Sequence, residues 1–274
     1  MPLTTSGGLV EVDAIANIIV DPHYANSTHT KGWTPVPPTL SKFAETFSSD
    51  LSEVFGPISQ GTTTNRTPIY LTLDDCSEFR DATGRWNSEA YSLYVSQDTV
   101  TITGLSPLGV WWGTRTVLQE AVLRIGSLAT GYGVDSAEWN TRGIFVSSII
   151  NSVLELWLMK EQLDAGRRYY PPDLPVEMCN WISFWKQNTL HVHLCDNLYN
   201  NVDIYGRQRQ LELYASARLF SNGSVGAGLD KYANEPYTRL NLDYMQSACA
   251  ARGVTIISEI RGTWSRTGHF AVEA

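Results

Sequence analysis

The chain has 274 residues, 43% hydrophobic and 18% charged, which is enough to bury a sizeable core in one large domain or two smaller ones. A net charge of −8 and a pI near 5.1, with no basic cluster to offset them, argue against nucleic acid as a partner, because such a surface repels phosphates. No run of 18 apolar residues is present to span a membrane, and Cys76, Cys179, Cys195 and Cys249 are too scattered to form a metal-ligand pattern or to imply a cofactor.

Taken in order, the chain opens on Met1-Pro2-Leu3-Thr4-Thr5-Ser6-Gly7-Gly8, which has no apolar core of a secretory signal. Ala14 to Val20 is a short β-rich run, and Asp21 to Pro38 is a polar loop. From Thr39 to Phe55, Leu40, Phe43, Ala44, Phe47, Leu51 and Val54 recur at helical spacing before Gly56, which predicts an amphipathic helix. Ile69 to Leu73 reads as a strand. Tyr91, Leu93 and Val95 alternate on one side of Gln97-Asp98, and Val100 and Ile102 on the other, as in a β-hairpin. A second helix is expected from about Leu108 to Leu123, with Trp111 and Trp112 as core residues.

Three glycosylation sequons, at Asn26, Asn65 and Asn222, lean towards a secretory origin. Either a signal lies outside this sequence or the protein is not exported. The cysteines are equally open: two disulfides or four buried thiols. Nine Trp and thirteen Tyr suit stacking on the apolar faces of sugars, or simply an aromatic core.

Beyond the second helix comes the run Trp139-Asn140-Thr141-Arg142-Gly143-Ile144-Phe145. Pro175, Met178, Trp181, Ile182 and Trp185 mark a helix with proline in its first turn. It leads into Lys186-Gln187-Asn188-Thr189-Leu190-His191-Val192-His193-Leu194-Cys195-Asp196, where Leu190, Val192 and Leu194 alternate with Thr189, His191 and His193 and the strand ends on a carboxylate. A lone histidine on a buried strand is more often a hydrogen-bonded core residue than a ligand. Residues 198–238 form a long polar loop, Leu242 to Ala251 a helix closed by Arg252-Gly253, and Val254 to Ile260 a further strand.

The stretch from Lys186 to Asp196 resembles the second barrel strand of the family 20 glycoside hydrolases, the β-N-acetylhexosaminidases, whose pattern there is approximately Lys-x-Asn-x-Leu-His-x-His-Leu-x-Asp. The resemblance implies an α/β chain: a small N-terminal α+β domain over 9–133, then over 139–274 the first three strands of an incomplete (β/α)8 barrel. It implies terminal N-acetylhexosamine on glycans or chito-oligosaccharides as substrate, no cofactor, and an extracellular or vacuolar location. Nothing in the sequence sets an oligomeric state.

Residue by residue, Arg167 matches the arginine that grips hydroxyls of the terminal sugar, and Asp196 the aspartate that helps hold the catalytic acid. His193, Asp164 and Arg142 fall in supporting positions, Arg142 as a structural residue; the alternative for Arg167 is a surface ion pair. In this family the substrate's own acetamido oxygen is the nucleophile, oriented by an Asp while the adjacent Glu protonates the leaving oxygen. This sequence contains no Asp-Glu dipeptide. It is therefore read as a truncated β-N-acetylhexosaminidase without its acid, the alternative being a non-catalytic carbohydrate-binding or structural remnant.

Two departures from the family pattern stand out. Removing residues 146–162 restores an unbroken Arg-Gly-Ile-Phe-Leu-Asp-Ala-Gly-Arg, and these seventeen codons have the length of a short fungal-type intron: Val146-Ser147 can be encoded GTA AGT, and Gln162 as CAG. The alternative is a genuine helical insertion with Leu154, Leu156, Trp157 and Leu158 on one face. Residues 261–274 are read as frameshifted, because Gly262-Thr263-Trp264-Ser265-Arg266, shifted by one nucleotide, can be read Ala-Pro-Gly-His-Ala; His269 is not equated with the family histidine.

Overall fold

The computed structural model describes residues 4–12, 15–56, 67–75, 79–80, 83–145, 163–165, 169–196, 206, 216–217 and 236–260. The chain divides into two compact units, one of residues 1–142, 180–188 and 250–254, the other of residues 143–179, 189–249 and 255–274.

The first unit is built on a six-stranded mixed sheet. Its strands are β1 (Thr4–Glu11), β2 (Ile15–Val20), β3 (Thr67–Leu73), β4 (Tyr91–Val95), β5 (Val100–Gly104) and β6 (Ser127–Asp135), in the spatial order β1-β6-β4-β5-β3-β2. β2, β3 and β5 run parallel, while β5-β4-β6-β1 are antiparallel neighbours. The expected hairpin is β4–β5. Two strands of this sheet were not expected, β1 and β6. Both are glycine-rich, with Gly7 at φ +88° and Gly131 lying so close to Thr4 that a Cβ would come within 2.4 Å of its carbonyl oxygen, so neither carries the β-branched alternation that announces a strand.

Helix α1 (Leu40–Phe55) is capped by Thr39, whose hydroxyl accepts from the Lys42 amide at 3.2 Å, and it ends at Gly56 with φ +85°. Its buried face, Leu40, Phe43, Ala44, Phe47 and Leu51, is the one the spacing predicts; Val54 is half exposed. Helix α2 (Pro107–Leu123) starts at the Ser106 cap with proline in its first turn. It is buried nearly all round, and Trp111 and Trp112 are core residues. Gly109 and Gly113 permit this depth, since a Cβ on either would sit 2.3 Å from the Ala90 oxygen or 2.4 Å from Ile102.

Asp50 ties this core together. Its two carboxylate oxygens accept from Arg115 and, at 2.6 Å, from Arg252. Arg115 is fully buried with its guanidinium 3.8 Å from the Trp111 ring centroid, and burial pushes it down to about 10 against the Asp50 charge.

The second unit holds β7 (Gly143–Phe145), β8 (Leu163–Asp164), β9 (Thr189–Asp196), β10 (Ser216–Ala217) and β11 (Thr255–Ile260). β9 is the strand the others pair with: β7, β8 and β11 run parallel to it and β10 antiparallel. Helix α3 (Asp173–Phe184) starts in this unit, and α4 (Arg239–Ala250) starts three residues earlier than its apolar pattern suggests. The cause is a reciprocal cap. Thr238 Oγ1 accepts from the Asn241 amide at 3.2 Å while Asn241 Oδ1 accepts from the Thr238 amide at 2.9 Å, satisfying two otherwise orphaned donors.

Of the two readings of the cysteines, a disulfide holds for one pair, Cys179–Cys249, joining α3 to α4. Cys76 lies outside the described residues.

β7 and β8 share one register. Gly143, Ile144 and Phe145 face Thr189, Leu190 and His191, and Leu163 and Asp164 face the next two residues, Val192 and His193. Phe145 and Leu163 thus occupy consecutive places along β9, as chain neighbours in one strand would. Residues 146–162 lie outside the described residues.

Candidate active site

β9 brings the chemistry-bearing residues of the second unit into rank. Leu190, Val192 and Leu194 are buried on one face. Thr189, His191 and His193 lie on the other by the alternation of the strand. In the parallel ladders, Asp164 of β8 and Glu259 of β11 both stand opposite His193, so three titratable residues form a row across three strands. His193 is 2% exposed. His191 Nε2 lies 3.0 Å from Glu259 Oε2, both only partly exposed. Asp196 closes the strand opposite Ser216 of β10.

Of the two residues assigned to the substrate site, Asp196 is therefore at the carboxyl end of β9, whereas Arg167 lies outside the described residues. Asp164 and His193 are brought together by register. Asn26 is exposed, and Asn65 and Asn222 also lie outside the described residues. The postulated frameshifted tail, 261–274, does so too.

Arg142 belongs to a different cluster, in the first unit. Its Nε donates to the Lys186 carbonyl at 2.8 Å, Nη1 to the Trp139 carbonyl at 2.6 Å, and Nη2 to the Glu89 carboxylate. Asn188 completes the arrangement by accepting from the Arg142 amide at 2.9 Å and donating to Glu89 Oε1 at 3.1 Å. The bonds from Arg142 Nε to Lys186 and between Asn188 and Glu89 hold the turn that precedes β9.

Lys186 sits in that turn at φ +58°, a conformation unfavourable for a lysine, and is held there by its side chain. The ammonium lies 2.6 Å from the Tyr91 hydroxyl and 2.9 Å from Asp135 Oδ2, and Tyr91 itself donates to Asp135 at 2.8 Å. Burial holds the Lys186 ammonium below its ordinary value, although the Asp135 charge opposes this. Burial raises Asp135, but the Lys186 charge and the two hydrogen bonds outweigh it and hold the carboxyl below the usual range. Burial and then the Asp135 charge push the Tyr91 phenol well up. Glu89, Tyr91 and Asp135 are functional in this positional sense and were not singled out from the sequence. They lie on segments far from Lys186 in the chain, and no local pattern links them.

Among the described residues no group of three His, Cys, Asp or Glu is arranged to hold a metal ion, and no helix is long and apolar enough to cross a membrane.

Two family models match the chain. One, described as glycosyl hydrolase family 20, domain 2, covers residues 33–121; the other, glycosyl hydrolase family 20, catalytic domain, covers residues 161–263. No curated protein sequence matches. Among solved structures, the chain is similar to a GH20 exo β-N-acetylglucosaminidase from Vibrio harveyi in complex with N-acetylglucosamine, at 18% identity and a TM-score of 0.57, over 94% of this chain and 35% of that one. It is also similar to a Flavobacterium johnsoniae chitobiase, at 17% identity and a TM-score of 0.59, over 94% and 33% of the two chains. A β-N-acetylhexosaminidase from Bacteroides fragilis aligns at 14% identity and a TM-score of 0.57, over 94% and 43%. The chain thus spans between a third and under half of the length of these structures, and at such identities the likeness speaks for the fold.

Proposed function

We propose, from the premise that this chain belongs to glycosyl hydrolase family 20, that it carries the supporting N-terminal domain and the first three strands of a (β/α)8 barrel whose complete form releases terminal β-linked N-acetylhexosamine. The observation that carries this reading is the β8-β9-β11 ladder. It is wholly parallel, it aligns Asp164, His193 and Glu259, and Asp196 stands at the carboxyl end of its middle strand, where barrel enzymes gather their chemistry.

Within that scheme Arg167 grips hydroxyls of the terminal sugar through its planar fork of donors. Asp196 belongs to the hydrogen-bond network that holds the acid, with His193 and Asp164 supporting it. The 274 residues contain no Asp-Glu dipeptide, so this stretch supplies binding contacts while the groups that orient the acetamide and protonate the leaving oxygen are not in it. Residues 146–162 are an insertion into the first barrel strand, of the kind a translated intron produces; the shared register of β7 and β8 supports this. Sequencing the spliced transcript across these codons tests it, and a dominant message that retains them refutes it. An extracellular or vacuolar location is supported by the Cys179–Cys249 disulfide and the exposed Asn26 sequon.

The functional test is a titration of the 274-residue chain with N-acetylglucosamine beside an assay on a chromogenic N-acetylglucosaminide. Binding without turnover is expected, and Arg167→Lys should weaken binding about tenfold or more through loss of a charged hydrogen bond. Affinity unchanged in both Arg167→Lys and Asp196→Ala refutes the site.

A further inference from the structure

The first unit contains a crevice of about 700 Å³ outside the carboxyl ends of its three parallel strands. The loop after β2 contributes His29 and Lys31, the end of β3 contributes Asp74 and Asp75, and the turn after β5 contributes Ser106 at the start of α2; Trp86 completes the lining. This is where open parallel sheets bind ligands, because the loops leaving neighbouring strands part there and leave a hollow rimmed by strand ends and a helix start. The volume is that of a small-molecule site.

Ser106 is committed to the α2 cap and the Ser88 carbonyl, but the charged and imidazole side chains of the lining are not. Among the described residues, the side chains of His29, Lys31 and Asp75 make no hydrogen bond or ion pair, and Asp74 accepts only from the neighbouring Asp75 amide at 2.7 Å. Burial lowers the His29 imidazole below its ordinary value, so at pH 7 it is neutral and offers one donor and one acceptor. Trp86 is 45% exposed, with the Arg80 guanidinium 4.3 Å from its ring centroid. Lys31 and the two carboxylates line the same crevice, a mixture of charge that disfavours both a phosphate and a metal ion. Mixed donors and acceptors beside an aromatic platform are what a neutral polyhydroxylated ring requires, its hydroxyls hydrogen-bonded and its apolar face stacked.

We propose that this crevice binds a neutral oligosaccharide, through Trp86 as stacking platform and His29, Lys31, Asp74 and Asp75 as hydrogen-bonding groups. The choice of an N-acetylated sugar as probe rests on the proposed function; the crevice itself does not. Nothing in the β9 ladder takes part.

The test is calorimetric titration of the full 274-residue chain with chitotriose. Trp86→Ala and Asp75→Asn should each weaken binding about tenfold. Asp75 is exposed, so Asp75→Asn keeps the test interpretable should Trp86→Ala disturb the fold. Trp139→Ala, which removes another exposed indole outside the crevice, should leave binding at this site unchanged. Asp196→Ala separates the two sites: binding retained there but weakened in Trp86→Ala and Asp75→Asn supports the crevice. Binding insensitive to Trp86 and Asp75, binding abolished by Asp196→Ala alone, or no binding in the millimolar range overturns the proposal, and only the last two of these also bear on the β9 site.

Discussion

Deleting residues 146–162 should stabilise the protein. Phe145 and Leu163 already stand opposite consecutive residues of β9, so the excision joins two strand pieces that are in register and requires no other strand to move. What it removes is the entropy of closing seventeen residues between two consecutive places along β9, which by (3/2)RT ln n is about 2.5 kcal/mol. For a chain of this size that corresponds to a rise in Tm of about 5–10 °C. Thermal denaturation of the deleted and intact chains, followed by circular dichroism, reads the effect. A second variant keeps the length but scrambles the order of residues 146–162. It should melt with the intact chain, because a closure cost depends on the length of the segment and not on the order of its residues. A deletion that lowers Tm, or a scramble that does so, refutes the reasoning and makes the segment an integral part of the fold.

Further outcomes are expected elsewhere. Asp50→Ala leaves the fully buried Arg115 without its counter-charge and should destabilise the first unit by about 3–5 kcal/mol, measured by chemical denaturation; a loss under about 1 kcal/mol would show that Arg115 finds another partner. Because the Asp135 carboxyl is held below its ordinary value of about 3.9, its contribution to stability is present above that pH and is lost as pH falls through the lower native value. Denaturation curves between pH 7 and pH 2 should accordingly be shallower for Asp135→Asn than for the parent, and parallel curves would contradict the assignment. The 274-residue chain should show no turnover of a chromogenic N-acetylglucosaminide above a buffer blank, since a positioned general acid alone is worth about 10²–10⁴-fold.

Legibility in the sequence followed local pattern. α1, the β4–β5 hairpin and β9 announce themselves because their apolar residues repeat with the period of the element, and the buried set of α1 differs from expectation at Val54, which is half exposed, and at Asp50, a buried carboxylate. β1 and β6 do not, because Gly7, Gly8, Gly131 and Gly133 interrupt the alternation, and their pairing is made by backbone and by small contacts such as Ser6 with Thr130 at 2.8 Å. The start of α4 is hidden in a polar Thr-Arg-Leu-Asn stretch whose value lies in capping, not in periodicity. At the candidate site, the row through His193 needed β8 and β11 to be set in register, which no single segment encodes. Likewise Lys186 reads as part of a motif, while its partners Tyr91 and Asp135 carry no mark in their own neighbourhoods.

The Cys179–Cys249 link has a topological consequence. It turns residues 179–249 into a covalent ring, and β9, the strand with which β7, β8, β10 and β11 all pair, is part of that ring. A single peptide-bond cleavage anywhere within it, including between β9 and α4, produces no separate fragment. The nicked polypeptide stays one molecule until a reductant opens the ring, so β9 remains tethered at both ends of the cut, to α3 directly and to α4 through sulfur.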